Sequence, residues 1–456
     1  MPRRGITRRT LLSSTVAAAG AVAAGVWVWR SDDESPGLAG ASELIPTNQP
    51  LALAGGKLLD TDFPDPFARG QIQGYVPFDL EGQGSPLVPG QRSGAGHNAR
   101  RIIDPATLLM PDTRITPARD FFIRTEYPDM LNPPEEWKIQ FGGEAGKPLA
   151  LPIAKLDAVV DRKEPVLLEC SGNHRSLKFG LLSVAEWEGV SIGKVLDMAE
   201  PTKKATSVFI RGFDDDSTMP DTGPPYHEHS MPTCSWVFTR EQLEKAGAFV
   251  AVRMNGQPLP KDQGAPIRLI VPGWYGCSEV KWINEIKLVD INQPATLQML
   301  EFAGRTGQEV HWDRSISTYH QVGPPLARDY IPALIDQAAL PVRVEQWKLG
   351  DKRVYRVVGI AWGGPDRTDK LKIRFRHKGS RNAKFQPVLF CKIRTSVPSY
   401  GIWVHSWEPK EAGPYVIDVR LDSSGMRNRR MESQEPLFPR GPLVQHFERA
   451  VTIPAV

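Results

Sequence analysis

A chain of 456 residues, 41% apolar and 24% charged, is long enough for roughly two or three domains with real cores. Its net charge of +4 is too small to mark a nucleic-acid binder, and no basic tract interleaved with aromatics and no zinc-finger spacing supports that class. Cys170, Cys234, Cys277 and Cys391 lie far apart, against a zinc knuckle or a disulfide scaffold, although an oxidising compartment permits a bridge such as Cys234 to Cys391.

The N-terminus carries Arg3-Arg4 and Arg8-Arg9 ahead of an apolar, alanine-rich stretch from Leu11 to Trp29. That layout is a twin-arginine export signal, occupying residues 1–41, and it implies a periplasmic protein that folds around a cofactor before crossing. The small residues Gly37 to Ala41 offer a cleavage site, whereas Val26-Trp-Val-Trp29 suits an uncleaved interfacial anchor. Residues 42–110 are rich in Gly and Pro and read as an extended arm around a neighbour or as a linker.

The first core domain is expected over residues 111–320. Asp120-Phe-Phe-Ile-Arg124-Thr-Glu126 leads into it. Next, Val166-Leu-Leu-Glu-Cys170 is an apolar run too short for a helix, and Ser-Gly172-Asn173 turns the chain sharply before His174-Arg175. A cysteine is thereby presented at a strand end with positive charge beside it, which favours a thiolate that binds soft metals or acts as a nucleophile. Short β-rich runs at Pro165 to Glu169 and Ser207 to Ile210 alternate with helical patches at Ile192 to Glu200 and Arg240 to Gly247, so the class is α+β. Asp214 to Asp216 lacks later calcium-loop ligands and reads as a solvated turn. Tyr226-His-Glu-His229 suggests no third metal ligand, and a lining role suits it better.

Asn255-Gly256 is a hairpin signal, Pro266 to Val271 a strand, and Pro272-Gly273 a turn ahead of the strand from Val280. Arg268 and Lys281 then point toward one anionic group from neighbouring loops. Val310 to Asp336 reads as a loop crossing to the next domain. Over 335–456, five strand-like runs, Val354 to Trp362, Leu371 to His377, Gln386 to Arg394, Gly401 to Trp407 and Tyr415 to Leu421, give a β-sandwich signature. No Gly-x-Ser-x-Gly elbow supports a hydrolase, and no C-x-x-C-H supplies a c-type haem.

Cys170-x-Gly172-Asn173-x-Arg175, with Met254-Asn-Gly, Pro258-Leu-Pro, Pro272-Gly and Val280-Lys-Trp, resembles the sulfite oxidase family of molybdopterin enzymes. The resemblance implies a mixed α/β molybdopterin-binding domain followed by an immunoglobulin-like dimerisation domain, with the molybdenum-molybdopterin cofactor (Moco) bound. It implies Cys170 as the metal ligand, Arg268 and Lys281 on the pterin phosphate, and Arg124, Thr125, Glu126 and Gln263 at the cofactor. Arg124 and Arg175 would hold an oxyanion. Thr125 and Glu126 stand where the family has asparagine and histidine, and Gln263 where it usually has histidine. Leu300-Glu-Phe302-Ala-Gly304 falls where the family has Arg-Asp-Tyr-Lys-Gly, so Phe302 takes the catalytic tyrosine's place unless Tyr319 or Tyr330 supplies a phenol.

The activity implied is oxidation of sulfite to sulfate by a homodimer, with electrons passed to an external carrier such as a c-type cytochrome. The departures leave room for a sulfane-sulfur dehydrogenase or a reductase on the same scaffold. An extracellular β-sandwich binding module is the rival outside enzymes, and it leaves Cys170, Arg268 and Lys281 unexplained.

Overall fold

The computed structural model describes residues 67, 70–79, 89–91, 99–109, 115–125, 137–173, 177–212, 234–309, 311–312, 321–364, 371–377, 380, 383–388, 390–391, 400–421 and 445–455, all within the compact unit Leu44–Val456. Strands dominate. The helices are short, at Ala154–Asp157, Ile192–Asp197, Arg240–Ala246 and Leu297–Phe302, so the expected α+β balance is tilted strongly toward β. The helix Arg240–Ala246 forms where the sequence placed it because Thr239 and Gln242 make a reciprocal capping box.

Two sheets carry the region expected to bind the cofactor. In one, Gln257–Pro258, Phe249–Met254, Leu182–Ser191 and Arg162–Glu169 follow in order, and Arg268–Ile270 also pairs with Phe249–Met254. In the other, the order is Ala150–Pro152, Lys138–Gly143, Ile283–Val289, Ser207–Gly212 and Ser235–Thr239. There, Lys138–Gly143 runs parallel to Ile283–Val289. The hairpin at Asn255-Gly256 forms with φ of 53° and 73° at its two turn residues, the positive pair a tight two-residue turn demands. Trp187, Trp236 and Trp282 are buried in this region, each a large apolar body closing the space around the sheets.

The C-terminal half holds two further sheets. One orders Gln71–Val76, Ala338–Leu349, Lys352–Trp362, Tyr400–Trp407 and Phe390–Cys391, and the other orders Gln386–Pro387, Leu371–His377, Gly413–Leu421 and Gln445–Ile453. Alternating apolar residues such as Ile373, Ile417 and Val419 of one sheet and Leu340, Val358 and Ile360 of the other join one continuous core. The run expected over Gln386 to Arg394 is split into two short strands.

The strand Gln71–Val76 comes from the Gly- and Pro-rich segment read as an arm or linker, and it pairs antiparallel with Ala338–Leu349 of its own chain. Two buried arginines fasten it. Arg343 and Arg356 both meet the buried Glu345 carboxylate, while Arg343 lies over the Tyr75 ring at 5.4 Å and Arg356 over Phe67 at 5.0 Å. A buried charge network of this kind needs every partner in place, so the segment covers charge as well as apolar surface.

Candidate active site

Cys170 directly follows the strand Arg162–Glu169, and its backbone N–H donates to the Leu181 carbonyl at 3.0 Å, continuing the hairpin ladder by one residue. The turn that follows is held from inside. Asn173 is buried; its amide donates to Glu169 Oε1 at 3.0 Å and to the Phe179 carbonyl at 3.3 Å, and its oxygen accepts from Leu181 N–H at 3.0 Å. One side chain thus closes the loop from Cys170 to Leu181, which leaves the thiol half-buried with Gly172 N–H aimed at its sulfur from 3.4 Å.

Glu169, next in sequence to the cysteine, is fully buried and accepts from Trp362 Nε1 at 2.8 Å. The strand end is therefore tied to the end of the C-terminal strand Lys352–Trp362. The loop Pro272–Ser278 lies over the same corner, with Gly276 N–H on the Glu169 carbonyl at 2.8 Å and Tyr275 N–H on Ala333. This brings Cys277 to the site. Burial pushes its thiol pKa well above the ordinary range, the neighbouring Cys170 adds to the rise, and Ser171 and Arg305 work against it.

Arg268 and Lys281, expected to face one anion, are partners across an isolated antiparallel bridge. Gly264 packs onto both: a Cβ there would meet Lys281 Cβ at 3.0 Å and Arg268 Cβ at 3.1 Å, so any larger residue would push the pair apart. Arg268 is buried, donates to the Gln263 and Glu279 carbonyls at 3.3 Å each, and stacks over Trp187 at 5.2 Å. Glu279 Oε2 lies 3.7 Å from its Nη2. Burial lowers the Arg268 pKa and raises that of Glu279, while each charge opposes the other's shift, and with Lys281 two cations meet this single carboxyl group. Lys281 Nζ donates to the Asp262 carbonyl at 3.2 Å and rests over Trp282 at 4.4 Å. The bridge carries excess positive charge.

Gln263 is buried and donates from Nε2 to the Phe122 carbonyl at 2.9 Å, which pins the loop Lys261–Gln263 to the segment just ahead of Arg124. Phe122 N–H also bonds Ser183 Oγ at 3.2 Å, two residues from the Leu181 that anchors Cys170. Arg124 sits exposed on the strand Ile123–Thr125, opposite Arg100. Thr125 ends that strand. Glu126 and Arg175 lie outside the described residues, as do His174, Tyr226 to His229, Asp214 to Asp216 and Tyr319.

Phe302 ends the helix Leu297–Phe302, which Gln298 docks beside the site by donating to the Cys277 carbonyl at 2.5 Å. Tyr330 is buried, and burial drives its phenol pKa far up; its oxygen has no hydrogen-bond partner among the described residues and packs against Gly323. Cys170 and Cys277 are free thiols, and the side chain of Cys391, the partner considered for Cys234, lies outside the described residues. Sequence reading passed over Cys277, Glu279 and Arg305. Nothing local distinguishes them, because each becomes a site residue through loops that meet only in the fold.

The family model for the oxidoreductase molybdopterin binding domain matches residues 125–297, a stretch that contains Cys170, Gln263, Arg268 and Lys281. The chain thus carries a molybdopterin-binding oxidoreductase domain and is similar to sulfite oxidases. Mitochondrial sulfite oxidase of Rattus norvegicus is 28% identical over 279 residues, covering 58% of this chain and 47% of that protein. The chain thus spans about half the length of that relative. Sulfite oxidase of Gallus gallus is 27% identical over 343 residues, covering 70% of this chain and 69% of that protein. The fold is shared with the sulfane dehydrogenase SoxCD of Paracoccus pantotrophus at a TM-score of 0.55 and 15% identity, covering 86% of this chain and all of that one.

The site suits the family's molybdenum cofactor. A half-buried thiol at a strand end is a soft donor for the metal. The Arg268–Lys281 bridge, positive and only partly compensated by Glu279, matches an anionic phosphate. Together they supply the two kinds of anchor that a sulfite oxidase-family enzyme needs for a metal with a charged organic tail.

Proposed function

We propose that this chain is a periplasmic sulfite dehydrogenase, exported by the twin-arginine route, that oxidises sulfite to sulfate and passes electrons to an external carrier of the c-type cytochrome class. The observation that carries this reading is the strand-end thiol of Cys170 with the Arg305 guanidinium beside it at Gly172, because a soft metal donor next to a permanent cation suits an oxyanion of sulfur. When bound, the molybdenum cofactor supplies oxygen-atom transfer and storage of the two electrons.

This chain's own residues anchor, orient and charge the site. Cys170 would hold the metal, and Asn173 fixes the turn that aims its sulfur. Arg268 and Lys281 would hold the pterin phosphate, with Gln263 joining their loop to Phe122 so that Arg124 leaves the strand in a set direction. Arg124 and Arg175 would meet the substrate oxygens, and Thr125 and Glu126 would border the pterin. The half Ala338–Ile453 would act as an immunoglobulin-like dimerisation domain, giving a homodimer. Export before or without cleavage of the N-terminal segment suits either a soluble or an anchored form.

The test is a substrate screen on purified protein with an artificial electron acceptor. Sulfite-dependent reduction of the acceptor supports the reading; turnover confined to sulfane-sulfur compounds favours the alternative that the shared fold with a sulfane dehydrogenase suggests.

A further inference from the structure

Arg305 lies on the short helical turn Ala303–Thr306 that continues the helix Leu297–Phe302. Its neighbours Ala303 and Thr306 are buried, and the Thr306 hydroxyl donates to the Phe302 carbonyl at 3.0 Å, so the backbone under Arg305 is fixed. The helix itself is held on the site by Gln298, which bonds the Cys277 carbonyl and accepts from Ser235 N–H at 3.0 Å. From this base the side chain is exposed and turns back over the Phe302 ring, with the guanidinium carbon 5.4 Å from the ring centre. Its Nη1 lies 3.8 Å from where a Gly172 Cβ would stand, and Cys170 Sγ lies 3.7 Å from the same point. Guanidinium and thiol therefore both come within ordinary contact distance of one point beside Gly172.

Phe302 offers no hydrogen-bond donor at this wall. The guanidinium held on its ring does. We propose that Arg305 is a specificity-determining residue that donates to an oxygen of the tetrahedral sulfur oxyanion bound beside Cys170. The inference rests on the sulfite reading above, deepening it from a substrate class to a named contact.

Sulfate, the expected product and an unreactive mimic of the substrate's shape, is the probe. Its affinity for holoenzyme is measured by calorimetry at constant ionic strength for the wild type, Arg305→Ala and Arg305→Lys, alongside molybdenum content and the kcat and KM for sulfite. The expected result is wild-type molybdenum in all three, sulfate Kd raised roughly ten-fold or more in Arg305→Ala, about 1.4 kcal/mol, an intermediate value in Arg305→Lys, and a raised KM with kcat largely kept. Unchanged sulfate affinity and KM in Arg305→Ala would overturn the proposal. So would a loss of molybdenum in proportion to the loss of sulfate binding, which marks a structural role. A wild type that holds molybdenum yet neither binds sulfate nor oxidises sulfite overturns the sulfite reading itself, and the proposal with it.

Discussion

Arg268 and Lys281 face each other across a single antiparallel bridge, with Gly264 packed against both side chains. The loop between the two cations donates from Gly276 N–H to the Glu169 carbonyl at 2.8 Å, so the strand end that presents Cys170 rests on the backbone that carries them. Lys281→Ala should therefore lower molybdenum and pterin content several-fold while leaving turnover per bound molybdenum near the wild-type value. Metal analysis paired with activity on the same samples checks this. Gly264→Val should have the same effect through crowding, since its φ of 100° and its two close neighbours leave no room for a branched side chain.

The Glu169–Trp362 hydrogen bond, at 2.8 Å, ties the residue before Cys170 to the C-terminal sheets. Trp362→Phe keeps most of the apolar ring and removes this donor from a fully buried carboxyl group. A cost of about 1–3 kcal/mol is expected, read as a lower denaturant midpoint. Reduced cofactor retention should accompany it, because the cysteine's backbone loses a brace.

Two buried groups give opposite dependences on pH. Glu279, raised by burial from 4.5 to about 7, keeps in the folded state a proton that the unfolded chain releases. Its contribution to stability is present below pH 4.5 and lost as the pH rises toward 7. His405, stacked on Phe375 and lowered by burial from 6.5 to about 4, stays neutral where the unfolded chain takes up a proton. Its contribution is present above pH 6.5 and lost as the pH falls toward 4. The stability of the wild type minus that of Glu279→Gln should fall between about pH 5 and pH 7, and the wild type minus His405→Phe should rise over the same window. Urea titrations at a series of pH values give both differences.

Phe302 ends a helix docked on the Cys277 loop, and its ring carries the Arg305 guanidinium. Phe302→Tyr adds a phenol beside that cation, and a measurable change in apparent affinity for sulfite is expected. Tyr330→Phe should be nearly silent in turnover, since the Tyr330 hydroxyl is buried against Gly323. A ten-fold loss in Tyr330→Phe, about 1.4 kcal/mol, would mean that this phenol serves the reaction.

Where chemistry is written into consecutive residues, the sequence was readable. Cys170 at a strand end, the Asn255-Gly256 turn and the strands Lys352–Trp362 and Leu371–His377 follow from short apolar runs and turn residues. The long strand Ala338–Leu349 was not recognised, because Pro341 interrupts it, and the structure answers that proline with a register shift between Pro341 and Arg343. Gln71–Val76 was hidden for another reason: its partner lies far along the chain, and Gly74 breaks its alternation beside another shift. Arg305 and Glu279 carry no local signal at all. One owes its place to a helix docking on a distant loop, and the other to burial against Arg268.

The most direct measurement is molybdenum X-ray absorption on purified wild-type protein and Cys170→Ser, with metal content determined on both. The account predicts molybdenum in the wild type with a cysteine sulfur among its neighbours, and one sulfur neighbour fewer in a folded but inactive Cys170→Ser. A wild type without molybdenum, or a Cys170→Ser protein with unchanged sulfur coordination and near wild-type turnover, would contradict it.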